Sequence, residues 1–287
     1  MTARCCWCAA DVTAPAKKSL GQNFLIDRAY QLRITAALEL QPEDAVVEIG
    51  PGRGALTEHL VGRVRRLVLV ELDDDLAAHW QQALGGRPDV HVLHQDARQL
   101  DFGALAAAEG HLKVVGNIPY NITSPLLFRL LDAQQPAALI VLMVQREVVD
   151  RMLAPAGSPQ YGALSVGVQT AATAERLFQV PRGAFRPVPN VDSTVVRLHP
   201  FLPPLLDPAE KADLRALTRT AFGWRRKQLQ RILREAPGYR LTVEELAALA
   251  SSGFVLADRP ESLGPREFIR LARELRRMGR PRQDGNE

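Results

Sequence analysis

From Ala45 onward the chain alternates short apolar runs with amphipathic stretches. "AVVEIG" (45–50), "RLVLVEL" (66–72), "VHVLHQD" (90–96), "LKVVGN" (112–117) and "AALIVLMVQ" (137–145) are the runs, dense in valine, isoleucine and leucine. Their length and β-branched content predict buried strands. "ALTEHLVGRV" (55–64) and "DDLAAHWQQAL" (74–84) fall between them at helical spacing, the second opened by acidic residues that suit a helix N-terminus. Strands alternating with helices predict a mainly parallel sheet with helices on both faces. "ERLFQV" (175–180) and "VDSTVVRL" (191–198) follow with little helix between them. An antiparallel pair at one sheet edge is expected there.

The proline-rich "HPFLPPLLDP" (199–208) closes this region. Beyond it, "PAEKADLRALTRTAF", "RKQLQRILREA", "TVEELAALA" and "PREFIRLARELRRM" all read as helices. The expected organisation is a tail over 1–16, an α/β domain over 17–200 and a small helical domain over 201–287. Charge sharpens that division. Residues 201–287 hold 17 Lys or Arg against 12 Asp or Glu, a net +5, whereas the total of 36 against 32 leaves residues 1–200 at 19 against 20. A basic helical domain on a neutral body suggests a polyanionic partner, although a solvated helical surface accounts for the composition equally well.

Cys5, Cys6 and Cys8 in "CCWC" are the only cysteines. One Cys-x-x-Cys without a second pair or a nearby histidine cannot close a tetrahedral zinc site. No metal site, and a flexible, poorly ordered tail with exposed thiols, are expected. No apolar run is long enough to cross a bilayer, and the first residues lack the pattern of a signal peptide. A cytoplasmic, monomeric protein without membrane contact is the expectation.

Chemistry enters at two strand ends. "EIGPGRGALT" places Gly50, Gly52 and Gly54 directly after the first strand, where glycine permits a tight turn and close approach of a ligand. Glu71 ends the second strand about 20 residues on, placed to hold a ribose hydroxyl pair. So far a nicotinamide cofactor and S-adenosylmethionine fit equally. The spacing is G-x-G-x-G, however, with Pro51 inside it, and the loop has no device for a pyrophosphate. Asp96 ends the third strand, where it could accept from an adenine amine. These details favour the methyl donor.

The second strand end is "GNIPYNITSPLLF" (116–128). In an open α/β sheet ligands bind where the strand order reverses, which would set the Asn117 loop opposite the Gly50 loop. An exocyclic adenine amine is a weak nucleophile. An acceptor on each amine hydrogen would stabilise the charge that grows on methyl transfer. The Asn117 side-chain oxygen is one such acceptor. The Ile118 carbonyl is the other, since a residue before proline is driven into an extended conformation and Pro119 cannot continue the ladder. Tyr120 offers a face on which a flipped base could stack. An ordinary turn with a packed aromatic is the weaker alternative.

With these residues in place, the sequence resembles the ribosomal RNA adenine dimethyltransferase family, from about Lys17 to about Leu275. The stretches that carry the likeness are "KKSLGQNFLID", "VVEIGPGRGALTEHL", "VELDDDLA", "HQDA", "GNIPYNITSPLLF", "VQREVVDRM", "YGALSV", "FRPVPNVDSTVVRL" and "AFGWRRKQLQRIL". The resemblance implies a class I, Rossmann-like methyltransferase domain with a seven-stranded sheet and a helical second domain. It implies dimethylation of two adjacent adenosines near the 3′ end of small-subunit rRNA, within an immature small ribosomal subunit. It further implies donor contacts from Asn23 and Leu25, beside Gly50, Gly52, Glu71, Asp96 and Asn117. Gln22 and Phe24 would shape an N-terminal lid. Phe185 would stack on the target base opposite Tyr120, although the residue by itself reads as a core aromatic. Arg225, Arg226, Lys227, Arg231 and Arg234 would contact rRNA phosphates. The family often has leucine at the position of Ile118, a harmless difference if the role is carried by the backbone.

Three other readings stay open at this point. A large-subunit rRNA methyltransferase of the macrolide-resistance type would share both loops. A ribosome-assembly factor would use methylation only as a release step. A nicotinamide dehydrogenase would bind a different cofactor altogether.

Overall fold

A computed structural model of the chain describes residues 15–120 and 122–280. They fall into two compact units, one comprising residues up to Val149 with Thr173–Pro203, the other Asp150–Ala172 with the chain from Pro204 onward. The expected cut near residue 201 lies close to the last of three crossings, but a single cut does not describe the division. Asp150–Ala172 belongs with the helical unit. Its buried Tyr161 donates a hydrogen bond to the Leu263 carbonyl at 2.8 Å, a contact across 102 positions that no local pattern announces. Cys5, Cys6 and Cys8 lie outside the described residues.

In the first unit the strands are β1 (Phe24–Leu25), β2 (Ala45–Ile49), β3 (Arg66–Glu71), β4 (Val90–His94), β5 (Leu112–Asn117), β6 (Leu139–Gln145), β7 (Ala172–Val180), β8 (Phe185–Arg186) and β9 (Ser193–Pro200). Seven of them form one sheet in the order β4-β3-β2-β5-β6-β9-β7. Neighbours from β4 to β6 run parallel, and β9 runs antiparallel to β6. Burial follows position in the sheet. Every residue of β2 is buried and six of seven in β6, whereas β4 and β7 at the edges keep several exposed positions. The apolar density of the central runs is what a strand covered on both faces requires.

Helices α1 (Arg28–Ala36), α2 (Thr57–Leu60), α3 (Asp74–Leu84), α4 (Phe102–Glu109), α5 (Thr123–Asp132) and α6 (Arg146–Met152) follow between these strands. Asp73 caps α3 by accepting from the Asp75 and Leu76 main-chain N–H groups, and Trp80 on its inner face is buried. The helix expected over 55–64 is shorter. Gly62 at φ +72° breaks it after one turn.

The register sets the site. Ile49 of β2 pairs with Gly116 of β5, so Gly50 and Asn117 leave the sheet side by side at the point where strand order reverses. Gly116 makes this possible. A Cβ there would lie 2.8 Å from the Ile49 carbonyl oxygen and 2.7 Å from the Ile118 side chain. Separately, β1 pairs antiparallel with β8, Phe24 with Arg186 and Leu25 with Phe185. This ties the N-terminal segment to the "FRPVP" loop.

The second unit consists of α7 (Ala163–Gln169), α8 (Pro208–Gly223), α9 (Leu229–Glu235), α10 (Val243–Ser251) and α11 (Pro265–Arg277). Reciprocal capping bonds open α8 (Asp207 with Glu210) and α10 (Thr242 with Glu245), the device that satisfies the free N–H groups of a helix start. Its core includes Leu217, Ile232, Leu233, Leu249, Phe268 and Leu271. The Phe222 ring bridges those of Tyr161 and Phe268 at centroid distances of 5.7 and 5.6 Å.

Candidate active site

A cavity of about 280 Å³ opens beyond the carboxyl ends of β2, β3 and β5, within the first unit. One half is built by the glycine loop and its acidic neighbours. Gly50 and Gly52 have φ of +66° and +56°, values that cost a side-chain-bearing residue roughly 1–2 kcal/mol. An added Cβ on Gly52 would also press on the Phe24 ring at 3.1 Å. The Trp80 indole N–H donates to the Gly52 carbonyl at 3.0 Å and holds the loop down. Glu71 accepts from the main-chain N–H of Gly52 (3.1 Å), Leu72 (2.9 Å) and Asp73 (3.0 Å). Burial raises the Glu71 carboxyl above its ordinary range, with those N–H groups opposing the shift.

Asp96 stands on the same wall and is engaged by Arg98, whose guanidinium reaches it at 2.6–3.1 Å. That partner, outweighing burial, lowers the Asp96 carboxyl below its usual range, so it stays a charged acceptor. Leu72, 46% exposed, and Ala97 add apolar surface to the wall. Two carboxylates, a glycine loop free of side chains and an exposed leucine on one cavity fit the ribose, methionine and adenine parts of S-adenosylmethionine.

The other half carries Asn117, Ile118, Pro119, Tyr120 and Phe185. The Asn117 side-chain amide N–H donates to the Asn23 main-chain carbonyl at 2.9 Å. A carbonyl can be faced only by the amide's NH2, so this bond fixes the flip and leaves Oδ1 as the open acceptor. The Ile118 N–H donates to the Met143 carbonyl at 3.0 Å, while no hydrogen bond from a described residue reaches the Ile118 carbonyl. Two acceptors thus come from consecutive residues at one strand end. Tyr120 is half-buried, its hydroxyl 3.4 Å from the Ser193 hydroxyl. Phe185 lines the cavity yet is only 1% exposed and belongs to the core cluster.

Gln22, Asn23 and Phe24 all line the cavity. Leu25 is buried against Phe185 through the β1–β8 pairing and is not on the cavity wall. In the second unit the basic residues separate by partner. The Arg225 guanidinium bonds Glu261 at 3.0 Å and the carbonyls of Pro159 and Ser158 at 2.9 and 3.1 Å. Arg231 and Arg234 both pair with Glu235. Arg226 and Lys227 are exposed and, among the described residues, have no such partner.

Trp80, Leu72, Arg98 and Ser193 escaped the sequence reading. Leu72 could have been found as an apolar residue directly after Glu71, the acid that ends β3. Trp80 and Ser193 carry no local signal, because their contacts span 28 and 73 positions.

The fold and this two-sided cavity define a class I, Rossmann-like methyltransferase with S-adenosylmethionine as its donor. A profile of the family described as ribosomal RNA adenine dimethylase matches residues 14–257. The chain belongs to that family. It is 42% identical over 267 residues to ribosomal RNA small subunit methyltransferase A of Geobacter metallireducens, covering 92% of this chain and 97% of that protein. It is 43% identical over 260 residues to the protein of the same name in Xanthomonas campestris pv. campestris, covering 91% and 96%. Among solved structures, a dimethyladenosine transferase from Plasmodium falciparum matches with a TM-score of 0.76 at 25% identity, over 90% of this chain and 98% of that one. The 23S rRNA methyltransferase ErmE matches with a TM-score of 0.63 at 30% identity, over 88% and 100%.

Proposed function

We propose that the protein dimethylates the exocyclic amines of two adjacent adenosines near the 3′ end of small-subunit rRNA. The observation that carries the chemistry is the pair of acceptors without a described donor, Asn117 Oδ1 and the Ile118 carbonyl, on consecutive residues that line the same cavity as Gly50, Glu71 and Asp96. When bound, S-adenosylmethionine supplies an electrophilic methyl group. Asn117 and Ile118 accept from the two amine hydrogens and stabilise the positive charge that grows on the amine nitrogen. Pro119 keeps the Ile118 carbonyl out of a continuing ladder. Tyr120 and Phe185 hold the flipped base by stacking, worth about 1–3 kcal/mol per base. No strong general base is needed, since the work is positioning.

The small-subunit relatives at 42–43% identity favour that rRNA over the large-subunit substrate named for ErmE, which is 30% identical. Exposed Arg226 and Lys227 suit phosphate contact with structured rRNA, whereas Arg225 acts as an internal tie. An immature small subunit is the natural substrate in this reading, met in the cytoplasm by a monomeric enzyme. No described helix is long and apolar enough to cross a membrane. The test uses small subunits lacking the modification, a labelled methyl donor and mapping of the labelled nucleotides. Label on two adjacent adenosines near the 3′ end is expected. Label on large-subunit rRNA, or on a single adenosine, overturns the assignment.

A further inference from the structure

The segment from Lys17 to Phe24 runs along the cavity, with Ser19, Leu20, Gln22 and Asn23 on its wall. It is a strap with few apolar anchors: none of Lys18–Leu20 is buried, and Gly21 turns through φ +64°. One end is fixed at Asn23, through the bond from Asn117, and at the β1–β8 pairing. The other end depends on a compact polar knot. The Lys17 ammonium lies 2.7 Å from Asp73 and 2.8 Å from Asp75. The Gln22 amide N–H donates to the second Asp73 oxygen at 2.8 Å, and its own oxygen accepts from the Lys17 main-chain N–H at 2.8 Å.

Asp73 is well chosen as the fixed point. Its side chain is fully buried, and it also caps α3. Burial would raise its carboxyl, but the bonds from Lys17 and Gln22 keep it below its ordinary range, so the knot stays ionised. Moreover, the Asp73 main-chain N–H donates to Glu71, the carboxylate on the cavity wall. Strap and donor wall therefore share one turn of backbone, Glu71-Leu72-Asp73.

We infer that Lys17 and Asp73 are positioning residues of the donor site, a pin that holds the strap closed and sets how long the donor or its spent product stays bound. The inference rests on S-adenosylmethionine being the donor. Lys17 does this from a distance, through the strap, and contacts neither reacting group. Because each target adenosine takes two methyl groups, spent donor must leave repeatedly, and a pin that is one-third exposed on the lysine side stays within reach of water and screening ions.

The experiment measures S-adenosylhomocysteine binding by calorimetry and its dissociation by displacement, in the full chain and in Lys17→Met and Lys17→Arg. Asp73 is left intact, since its loss would also uncap α3. For Lys17→Met, affinity should fall about tenfold, the equivalent of about 1.4 kcal/mol, with faster dissociation and faster amide exchange at residues 17–23. Lys17→Arg should recover most of the loss, and added salt should weaken wild-type binding more than that of Lys17→Met. Wild-type affinity and dissociation in a folded Lys17→Met protein would overturn the pin. A wild-type chain that binds no S-adenosylhomocysteine would overturn the donor assignment itself.

Discussion

The two halves of the cavity are built in different ways. On the donor side the defining bonds are short in sequence: Glu71 reaches Gly52 across 19 positions, and Trp80 reaches it across 28. On the target side they are long, with Asn117 reaching Asn23 across 94 positions and Tyr120 meeting Ser193 across 73. The donor wall is one strand-loop-strand-helix unit, to which the strap is tied through Asp73 and Asp75. The target side is a strand end that becomes a site only when a remote strap and an antiparallel strand are brought against it. One consequence is that damage on the target side should stop chemistry and spare donor binding, while damage on the donor side should do the reverse.

Asn117→Ala tests this most severely. It removes an acceptor that acts on developing charge, so kcat should fall about 10²–10³-fold. The Asn117 tie to Asn23 goes as well, but the β1–β8 pairing still fixes that end of the strap, and Gly50, Glu71 and Trp80 keep their bonds, so S-adenosylhomocysteine affinity should change far less than kcat. Single-turnover transfer and calorimetry on the same variant read the two sides separately. A wild-type turnover rate would remove Asn117 as the amine acceptor.

Glu71→Gln is the complementary change. One oxygen becomes an NH2 set against main-chain N–H donors, and charge-assisted bonds to a ribose are lost. Donor affinity should drop about 10- to 100-fold, the span of a hydrogen bond to a charged group, and saturating donor should restore much of kcat. There is also a pH signature. The buried Glu71 carboxyl is raised above its ordinary range, so wild-type affinity should weaken as pH falls through that raised value. The variant should show no such slope. A kcat loss that saturating donor does not relieve would mean the two sides are not separable in this way.

The same contrast explains what the sequence could reveal. Gly50, Gly52, Glu71 and Asp96 were legible because the parallel sheet and its strand order follow from local periodicity, and the acids sit at strand ends that periodicity locates. Asn117 was legible as a residue type in a loop, since an amide before an X-Pro-Tyr run has few other reasons to be there. What holds Asn117 in its flip was not legible, because β1 is two residues long and pairs across the chain with β8. Arg225 illustrates a related point. In "GWRRK" it reads like its neighbours, yet only the fold shows that Ser158, Pro159 and Glu261 claim it.

Glu48 bears on how self-sufficient the donor side is. It lies on β2 two residues before Gly50, fully buried, with its one described side-chain partner the Thr57 hydroxyl at 2.7 Å. Burial pushes its carboxyl up to about 8 against an ordinary 4.5, in spite of that bond. The sign follows from linkage. The fold favours the protonated acid, so its contribution is full below the ordinary range and is lost as pH rises through about 8. Glu48→Gln, a permanent mimic of the neutral acid, should remove the part of the wild-type decline in melting midpoint between about pH 5 and 8 that this residue causes. The gain should be on the order of a few kcal/mol at the alkaline end. Parallel midpoint curves for the two proteins would mean Glu48 titrates normally.

Tyr120→Phe should have the smallest effect, and it separates two uses of the same ring. If Tyr120 acts as a stacking face, the aromatic surface is retained and only the contact with Ser193 is lost. That contact is long, at 3.4 Å, so it contributes less than about 1 kcal/mol. Transfer to rRNA should therefore fall no more than about threefold, and Ser193→Ala should match it, because each removes one end of the same bond. A much larger loss in Tyr120→Phe than in Ser193→Ala would show that the hydroxyl has a partner in the substrate. The target side would then read its base by hydrogen bonding as well as by stacking.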